Sequence, residues 1–460
     1  MKDLKYLFEP KSIAVIGASR DENSVGYGIL ANLLRGGVFS TRHNEPFRGN
    51  VYPINPNAGE ILGLQCYASI SAVREKVDVA IIAVKSKIVP VVMKECVQKN
   101  VKAIIIISSG FAEFDDEGKK LQEDVLAIAK KSSIPVLGPN CLGVINTNSC
   151  LNASFAPAMP PKGEISFISQ SGALADSIID WALWKNYGFS KIISYGNAAD
   201  IDLPDLIEYL NADKATKAIA IYVESIRDGR KFMAAAKQCT KPVVIMKAGK
   251  TELGLEAALS HTGNIATSYE IYKAAFRQSG VHVADNVDEL FEAAQVMAYQ
   301  PRLKENGIAI ITNGGGCGVI TADNCIENGL TLSPLSPETL KALDASGKMH
   351  PAYSRRNPLD IVGDALPGRY EVAINTLLKQ KDIHGAIVVQ TLQTMTQPLE
   401  NAKIIVAAKE KFRDKPITAV FMGGKFTRMG KMYLEAHKVP VSAYPLKAVL
   451  AMKALLHKKE

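Results

Sequence analysis

Residues 12–20 read Ser-Ile-Ala-Val-Ile-Gly-Ala-Ser-Arg, an apolar β-forming run that ends in a turn of small residues. A continuous run of this kind predicts a strand buried on both faces, as in parallel sheets that helices cover. Gly26 and Gly28 then precede the apolar stretch 29–34, which predicts a helix. Strand, glycine turn and helix indicate the start of a βαβ unit, whose turn can bind phosphate through backbone N–H groups.

Similar apolar runs recur from one end of the chain to the other and alternate with amphipathic stretches. This alternation is the pattern of repeated βαβ units, so it predicts an α/β protein with parallel sheets. The predicted strands are 13–16, 79–84, 103–107, 165–168, 218–223, 243–246, 308–311, 386–389 and 417–421.

The chain is too long for one domain, because 460 residues suggest about three. Proline-rich stretches at 152–163 and 299–307 predict linkers between the domains. We therefore predict a Rossmann-like domain at 1–155, followed by two flavodoxin-like, doubly wound parallel-sheet domains at 156–300 and 301–460.

Composition argues against several classes of protein. The net charge of +8 is dispersed, without the Lys/Arg block that is typical of a nucleic-acid-binding arm. Seven cysteines without a Cys-x-x-Cys pair argue against a disulfide framework and a structural zinc site, and favour a reducing compartment. There is no signal-peptide pattern and no apolar run of ~20 residues, so we expect a cytoplasmic protein that binds neither membrane nor nucleic acid. No carboxylate cluster indicates a metal site on this chain.

The first predicted domain departs from the pattern of NAD-binding proteins. Ser19 and Glu22 occupy the second and third glycine positions of that fingerprint, and the strand that ends at Asn55 offers no acid for a ribose hydroxyl. A different adenine nucleotide with additional phosphates suits the basic chain better. A glycine turn that only packs is the alternative.

The second and third predicted domains open alike, each with a strand, a turn of small residues and a helix start. Unpaired N–H groups and the helix dipole make such a turn an anion site. We predict that the two turns face each other across one phosphate site. Its residues are Ser169, Gln170, Ser171 and Gly172 in one turn, and Gly314, Gly315, Gly316, Cys317 and Gly318 in the other.

Two residues of the second predicted domain suit phosphoryl transfer. His261 follows a glycine-punctuated connection after the strand 243–246, which would allow a carrier imidazole both exposure and movement. Glu224 follows the strand 218–223, where a carboxylate at the rim of a site can accept a hydrogen bond from the Nδ1–H of a histidine. From the pattern alone, an ordinary loop histidine and a surface glutamate are the alternatives at these two positions. We expect the other histidines to be surface or packing residues.

Four motifs together resemble a known family. They are Gly-Pro-Asn-Cys-Leu-Gly at 138–143, Ser-Gln-Ser-Gly at 169–172, Leu-Ser-His-Thr-Gly at 259–263 and Asn-Gly-Gly-Gly-Cys-Gly at 313–318. They are similar to motifs of the α subunits of ADP-forming acetyl-CoA synthetases, which are NDP-forming acyl-CoA synthetases related to succinyl-CoA synthetase. The resemblance extends over the whole chain in the family's domain order, with a CoA-binding domain first. Its histidine motif is the most specific part.

The resemblance implies the reversible conversion of acyl-CoA, ADP and phosphate into acid, CoA and ATP, through acyl phosphate and a phosphohistidine at His261 that Glu224 orients. It also implies CoA as the ligand of the first domain. ADP or ATP with Mg²⁺ would bind to an ATP-grasp β subunit in an α2β2 complex, because the chain ends at Glu460 without room for that module. The residues expected at CoA are Gly17, Ala18, Ser19, Arg20, Val84, Lys85, Ser108, Gly110, Phe111 and Asn140.

The resemblance also bears on the cysteines and on the alternatives. Because CoA supplies the reactive thiol, Cys141 and Cys317 are expected to be small buried residues, and the motif at 357–360 is expected to be structural. One alternative is a succinyl-CoA synthetase-like ligase subunit, which the third domain disfavours. Another is a non-catalytic protein that senses CoA or acyl-CoA. The acyl group remains open.

Overall fold

The computed structural model describes residues 2–255 and 268–456, which form two compact units divided between residues 290 and 291. The strands are β1 Ser12–Ile16, β2 Asn50–Ile54, β3 Glu60–Ile61, β4 Leu64–Gln65, β5 Val79–Ile82, β6 Ala103–Ile106, β7 Val136–Leu137, β8 Gly143–Asn146, β9 Leu151–Ser154, β10 Lys162–Ser169, β11 Phe189–Ser194, β12 Ala218–Val223, β13 Val243–Lys247, β14 His282–Val283, β15 Ile308–Thr312, β16 Leu359–Asp360, β17 Gly385–Gln390, β18 Ile417–Phe421 and β19 Val441–Ser442.

Helices alternate with these strands along the chain, as the periodicity predicts. They span Lys5–Phe8, Val25–Arg35, Val89–Gln98, Asp116–Ser132, Gly172–Lys185, Leu203–Ala212, Gly229–Gln238, Tyr269–Gln278, Val287–Tyr299, Gly315–Glu327, Pro337–Ala345, Pro367–Leu377, Pro398–Lys411, Arg428–Ala436 and Pro445–Ala454. Short 3-10 helices span Ile70–Ala72 and Ser86–Ile88.

The first sheet consists of five parallel strands in the order β2-β1-β5-β6-β7. Alternate residues of β1 pack into two separate hydrophobic clusters, Ile13 and Val15 into one and Ala14 and Ile16 into the other. The strand is therefore covered on both faces, which explains its uninterrupted apolar sequence. The strand order reverses between β1 and β5, so the carboxyl ends of these two strands border the crevice where open α/β sheets bind ligands.

The second sheet has seven strands in the order β14-β13-β12-β10-β11-β8-β9. The strands from β14 to β11 are parallel, whereas β8 pairs antiparallel with both β11 and β9. The carboxyl ends of β13, β12, β10 and β11 thus lie side by side at one edge. Residues that follow these strands in sequence are brought together there.

The hairpin β8–β9 corrects part of the predicted linker at 152–163. This hairpin precedes residue 155 but belongs to the second sheet, and the strand β10 already begins at Lys162. Asn152 is fully buried in β9, with its Nδ2 donating to the Gly36 carbonyl oxygen at 3.1 Å. The start of the predicted proline-rich linker is therefore part of a strand, in which the buried polar side chain of Asn152 is hydrogen-bonded. The domain boundaries 1–155, 156–300 and 301–460 remain a prediction.

The second unit contains the third sheet, five parallel strands in the order β16-β15-β17-β18-β19. The predicted strand 417–421 has the observed bounds, and 308–311 and 386–389 each differ by one residue at one or both ends. The predicted α/β class with parallel sheets is confirmed. Within the ranges that the structure describes, no helix combines the length and apolar character needed to cross a bilayer.

Candidate active site

The loops after β1 and β5 meet at the carboxyl edge of the first sheet. Gly17 has a φ of +94°, and a Cβ on it would lie 2.3 Å from the Ala83 carbonyl oxygen. A Cβ on Gly26 would lie 1.9 Å from the Gly17 carbonyl oxygen, because the following helix packs directly on the turn. Both positions therefore require glycine. The predicted CoA loops 17–20 and 84–85 border the point where the strand order reverses.

Two exposed cations lie in these predicted CoA loops. Arg20 is exposed, and its Nε donates to the Glu60 carbonyl oxygen at 3.0 Å, which fixes the side chain beside the turn. Lys85 is exposed and immediately precedes a 3-10 helix. Ala18 is buried, and its carbonyl oxygen accepts a hydrogen bond from Asn55 Nδ2 at 2.8 Å. The loop can therefore bind an anion through the Arg20 guanidinium and backbone amides, and it presents no apolar side chain to that ligand.

Two hydroxyl groups fix the backbone of the same edge. Ser19 Oγ accepts a hydrogen bond from the Asp21 amide at 3.0 Å, and Ser108 Oγ donates to the Val84 carbonyl oxygen at 2.5 Å. The second bond ties the loop after β6 to the loop after β5. The structure therefore brings the predicted residues at 17–20, 84–85 and 108 to one edge of one sheet.

The amides of Gly110 and Phe111 already have an acceptor. Both donate to the Oε1 atom of Glu113, at 2.7 and 3.2 Å, and Gly110 has a φ of +91°. The Glu113 carboxylate therefore sits where the sequence predicts a phosphate of CoA. The Phe111 side chain is fully buried in the hydrophobic core, so only its backbone is available to a ligand.

Asn140 connects the first two sheets through a polar network. Its amide donates to the Ser108 carbonyl oxygen at 2.9 Å, and its Nδ2 donates to Asn197 Oδ1 at 3.3 Å. Asn197 Nδ2 in turn donates to Glu113 Oε2 at 2.5 Å and to Gln122 Oε1 at 2.9 Å. The predicted CoA residue Asn140 thus joins the loops of the first sheet to the loop that follows β11.

Gln170 bridges the ends of β10 and β12 at the edge of the second sheet. Its Oε1 accepts hydrogen bonds from the amides of Glu224 and Ser225, at 2.8 and 3.0 Å, and its Nε2 donates to Ser225 Oγ at 3.3 Å. The Tyr195 hydroxyl also lies 3.5 Å from Gln170 Oε1. The sequence predicts Gln170 as a phosphate ligand, whereas in the structure its side-chain amide is engaged with the protein backbone.

Glu224 is half-buried at the end of β12, among groups that respond to its charge. The Tyr222 hydroxyl donates to Glu224 Oε1 at 3.5 Å, and burial together with the Glu224 charge raises the pKa of Tyr222 to about 12. Burial lowers the pKa of Lys247, and the Glu224 charge opposes that effect. Burial also holds the pKa of the Tyr195 hydroxyl well above its usual value, with Glu224 contributing. The site is therefore a carboxylate among two neutral phenols and one buried lysine.

In the turn from 169 to 172, the two serine side chains form hydrogen bonds within the protein, whereas the sequence predicts them as phosphate ligands. Ser169 is fully buried and its Oγ donates to the Ser171 carbonyl oxygen at 2.6 Å. Ser171 caps the helix that begins at Gly172, with its Oγ accepting from the Leu174 amide at 3.3 Å. Asp176 Oδ1 in the same helix is buried without a hydrogen-bond partner in the described part of the chain, and burial raises the Asp176 pKa to about 6.

The glycine turn of the third sheet lies beside a carboxylate. A Cβ on Gly315 would lie 2.8 Å from Asp360 Oδ2, and one on Gly314 would lie 2.7 Å from Thr391 Oγ1. A Cβ on Gly316 would meet open space. Asp360 places negative charge at the helix N-terminus where the sequence predicts phosphate. This turn belongs to the second compact unit, so the phosphate site shared with residues 169–172 remains a prediction.

Cysteine placement corrects one expectation. Cys141 is buried, and burial raises the pKa of its thiol to about 12. Both observations agree with the expected role as a small packing residue. Cys317 is only half-buried, with its Sγ 2.9 Å from Met422 Sδ at the start of the helix Gly315–Glu327. It lies in the first turn of this helix, where its side chain stays partly exposed instead of entering the core. Burial nevertheless raises the pKa of its thiol, so it is a poor nucleophile.

The motif at 357–360 extends the pairing along the β16 side of β15, because β16 is in register only with Ile311 and Thr312. Asn357 Oδ1 accepts from the Ile310 amide at 3.0 Å, and its Nδ2 donates to the carbonyl oxygens of Ile308 and Ser333 at 2.8 and 2.9 Å. The asparagine side chain thus takes the place of a neighbouring strand. This contact supports the structural role expected for Asn357.

His261 lies outside the described residues, so its distance to Glu224 is not part of the structure. Five described histidines make local contacts: His43 with Arg42, His282 with Glu289, His350 with Ala352, His384 with Glu305 and His437 with Tyr433. Among the described His, Cys, Asp and Glu side chains, no group of three could hold a metal ion.

Sequence reasoning missed four residues of this region: Glu113, Asn197, Tyr222 and Lys247. Lys247 is the last residue of an apolar strand, and Glu224 directly follows another. A charged residue at the end of each of two apolar strands is a sequence pattern that could have identified Lys247 as a residue of the site. Glu113 lies three residues after a glycine with positive φ, which the sequence alone does not reveal.

Three family models match the chain in the order of its sheets. They are a CoA binding domain at 11–147, a succinyl-CoA ligase like flavodoxin domain at 162–297 and a Ligase-CoA domain at 308–458. Together with the fold they define a CoA-ligase chain. The chain belongs to the family of ADP-forming acetate–CoA ligase α subunits.

Similar proteins support this assignment over nearly the whole chain. The α subunit of ADP-forming acetate–CoA ligase II of Pyrococcus furiosus is 41% identical, with 98% of this chain and 97% of the relative covered. The ADP-forming acetate–CoA ligase of Methanocaldococcus jannaschii is also 41% identical, and the chain spans 63% of its length.

A solved structure agrees. Acetyl-coenzyme A synthetase 1 of Ca. Korarchaeum cryptofilum, which is described as dinucleotide forming and in complex with phosphate and ADP, has a TM-score of 0.90. It is 37% identical, with 99% of this chain and 96% of that chain covered. The resemblance inferred from the four motifs is thereby confirmed.

Proposed function

We propose that this chain is the CoA-handling and phosphoryl-carrying subunit of an ADP-forming acyl-CoA ligase, with acetate as the acid to test first. The proposal is supported by the similarity to acetate–CoA ligases along 98% of the chain. The observation that carries it is the placement of Glu224, Gln170 and Lys247 at adjacent strand ends of the second sheet. A strand-end carboxylate in this position suits a carrier histidine in the segment that follows β13.

The proposed reaction has three steps. Phosphate attacks the thioester carbon, the C–S bond breaks, and acyl phosphate and CoA thiol form. A neutral imidazole nitrogen of His261 then attacks phosphorus, the bond from phosphorus to the acyl oxygen breaks, and the acid leaves as a carboxylate. Finally the phosphoryl group passes from His261 to ADP, which gives ATP and restores the imidazole.

Glu224 would act on the carrier from the opposite ring nitrogen. Its carboxylate accepts the Nδ1–H of His261, which fixes the tautomer that leaves the other nitrogen free to attack. After transfer the same charge stabilises the phosphorylated ring. Gln170 supports this arrangement, because its two hydrogen bonds to the amides of Glu224 and Ser225 fix the backbone that carries the carboxylate.

CoA would bind at the edge of the first sheet. The glycine turn at 17–20, the cations Arg20 and Lys85 and the loop at 108–111 meet where the strand order reverses. Binding of a phosphate by the amides of Gly110 and Phe111 requires the Glu113 carboxylate to move away. Asn140 and its partners would transmit that change to the second sheet.

The nucleotide half of the reaction would come from an ATP-grasp β subunit, which holds ADP or ATP with Mg²⁺ in an α2β2 complex. The α-subunit relatives support a partner, and the resemblance supports its type. The chain should form no ATP from acetyl-CoA, ADP and phosphate when it is alone, and should form ATP once the β subunit is added.

Omission of CoA-thioester from the same mixture is the control. ATP formation by the chain alone would contradict the proposal that a separate β subunit carries out the nucleotide half of the reaction. No ATP from the complex with any acyl-CoA, despite CoA binding, would favour the non-catalytic sensor.

A further inference from the structure

The turns that follow the strands β10 and β15 have the same local hydrogen bond. Each turn begins after a fully buried hydroxyl residue at the end of its strand, Ser169 in the second sheet and Thr312 in the third. Thr312 Oγ1 donates to the Gly314 carbonyl oxygen at 3.0 Å, and Ser169 Oγ donates to the Ser171 carbonyl oxygen at 2.6 Å. The two sheets therefore connect strand and helix in the same way.

The next residue in each turn carries a carboxamide that reaches the neighbouring strand. Gln170 binds the amides of Glu224 and Ser225 after β12. Asn313 is 1% exposed, and its Oδ1 accepts hydrogen bonds from the Thr391 amide at 2.7 Å and the Thr391 hydroxyl at 3.1 Å. Its Nδ2 donates to the Thr391 carbonyl oxygen at 3.1 Å. The Asn313 side chain therefore binds both backbone polar groups of Thr391.

These contacts lie at corresponding positions of the two sheets. The last residue of β10 is in register with Tyr222 on β12, and the last residue of β15 is in register with Val389 on β17. Thr391 in the third sheet thus corresponds to Glu224 in the second. In both sheets the strand order reverses between these two strands, which is where open α/β sheets leave a crevice for ligands. A carboxamide bridges that crevice in each sheet.

A second carboxamide completes the network in the third sheet. Asn313 Nδ2 also donates to Gln393 Oε1 at 2.8 Å, and Gln393 Nε2 donates to Thr391 Oγ1 at 2.7 Å. Asn313 therefore uses both donors and both acceptor positions of its side chain. The network lies directly against the glycine turn, because a Cβ on Gly314 would be 2.7 Å from Thr391 Oγ1.

We propose that Asn313 is a positioning residue of the phosphate site, whose carboxamide fixes the loop after β17 against the turn 314–318 and holds the turn amides in place for phosphate. Its consequence for the reaction rests on the proposed function, whereas the pairing with Thr391 is a contact of the folded chain. A carboxylate at this position would lack both donors. It would also add negative charge to that of Asp360, which lies beside Gly315.

The test uses the full chain with its β subunit and measures ATP formation from acetyl-CoA and ADP while inorganic phosphate is varied. Asn313→Ala should raise the KM for phosphate roughly 10–100-fold, because a misplacement of about 1 Å can cost that much. The KM values for acetyl-CoA and ADP should stay within a few-fold. A loss of folded protein alone would lower kcat and leave the KM for phosphate unchanged.

Two further variants separate positioning from packing and from direct binding. Asn401→Ala removes a fully buried carboxamide that donates to Gln390 Oε1 at 2.7 Å, so it should lower stability and leave the KM for phosphate unchanged. Thr391→Val removes the hydroxyl but keeps the backbone groups that Asn313 binds, so the KM should change only a few-fold. A rise in either variant equal to that in Asn313→Ala overturns the proposal, as does an unchanged KM in Asn313→Ala.

Hydrogen–deuterium exchange of the Thr391 amide in the full chain gives a readout that does not need activity. The amide should exchange faster in Asn313→Ala, because its acceptor is gone, whereas Thr391→Val should keep its protection. Unchanged exchange in Asn313→Ala overturns the proposal. If the wild-type complex forms no ATP from any acyl-CoA, the proposed function fails, and the exchange alone decides on Asn313.

Discussion

The amide nitrogen of Glu224 lies 2.8 Å from Oε1 of Gln170, so a side chain after β10 fixes the backbone of the residue after β12. The two strands are hydrogen-bonded neighbours, and Ser169 is in register with Tyr222. This bond fixes the backbone position of Glu224, and therefore the point from which its side chain extends. Gln170 therefore belongs to the support of the site.

Gln170→Ala should slow phosphorylation of His261 on the order of 10²-fold, because a misplacement of about 1 Å in a catalytic group can cost that much. CoA affinity should change little, since the CoA loops lie on the first sheet. Single-turnover phosphorylation by ATP in the complex measures the rate. Gln238→Ala, on an exposed helix end, is the control. An unchanged rate in Gln170→Ala would remove the supporting role of this bond.

Gly26→Ala should destabilise the first unit by roughly 1–3 kcal/mol, the usual cost of overpacking. Its Cβ would lie 1.9 Å from the Gly17 carbonyl oxygen, so the helix has to move away from the turn. Gly28→Ala in the same helix is the matched control, because its nearest neighbour is Phe155 Cβ at 3.6 Å. Alanine there should stabilise the helix by about 0.5–1 kcal/mol. Urea unfolding curves measure both, and equal effects would contradict the close packing.

Glu113→Gln should tighten CoA binding a few-fold. The carboxylate of Glu113 occupies the amides of Gly110 and Phe111, and removal of its charge makes their transfer to a CoA phosphate easier. Calorimetric titration of CoA into the full chain measures the affinity. Glu117→Gln removes an exposed charge nearby and serves as the control. Weaker binding by Glu113→Gln would mean that the carboxylate shapes the loop for CoA rather than competing with it.

Asp176→Asn should raise the melting temperature above pH 6 and have little effect near pH 4. Burial raises the folded-state pKa of Asp176 to about 6, whereas the unfolded carboxyl titrates near 3.9. The ionised carboxylate is therefore disfavoured in the fold, and its penalty develops as pH rises between these values. Asp180→Asn, exposed on the same helix, is the control. A gain that does not depend on pH would point to another cause.

The sequence predicts the fold where strands are apolar on both faces and fails where polar residues are buried. The strand 218–223 is predicted with its observed bounds, because every residue of Ala218–Val223 is β-forming or small. In contrast the sequence predicts no strand at β11, since β11 carries Ser190, Lys191 and Ser194, all fully or almost fully buried. The buried Lys191 ammonium lies 2.6 Å from Asp213 Oδ2, and such a pairing is not visible in the sequence.

The site shows the same division. Glu224 could be predicted because it directly follows an apolar strand. The engagement of the Gln170 side chain with backbone amides could not be predicted, nor could the occupation of the Gly110 and Phe111 amides by Glu113. These contacts depend on which strands become neighbours and on the local φ angles. Both are properties of the folded chain.

The central claim is that His261 carries the phosphoryl group. Incubation of the complex with γ-³²P-ATP and Mg²⁺ should place acid-labile, base-stable label on a peptide that contains His261. His261→Ala should abolish label and turnover in both directions and leave CoA binding within a few-fold. Glu224→Gln should slow transfer on the order of 10²–10⁴-fold. Label found only on another residue, or turnover by His261→Ala, would contradict the account.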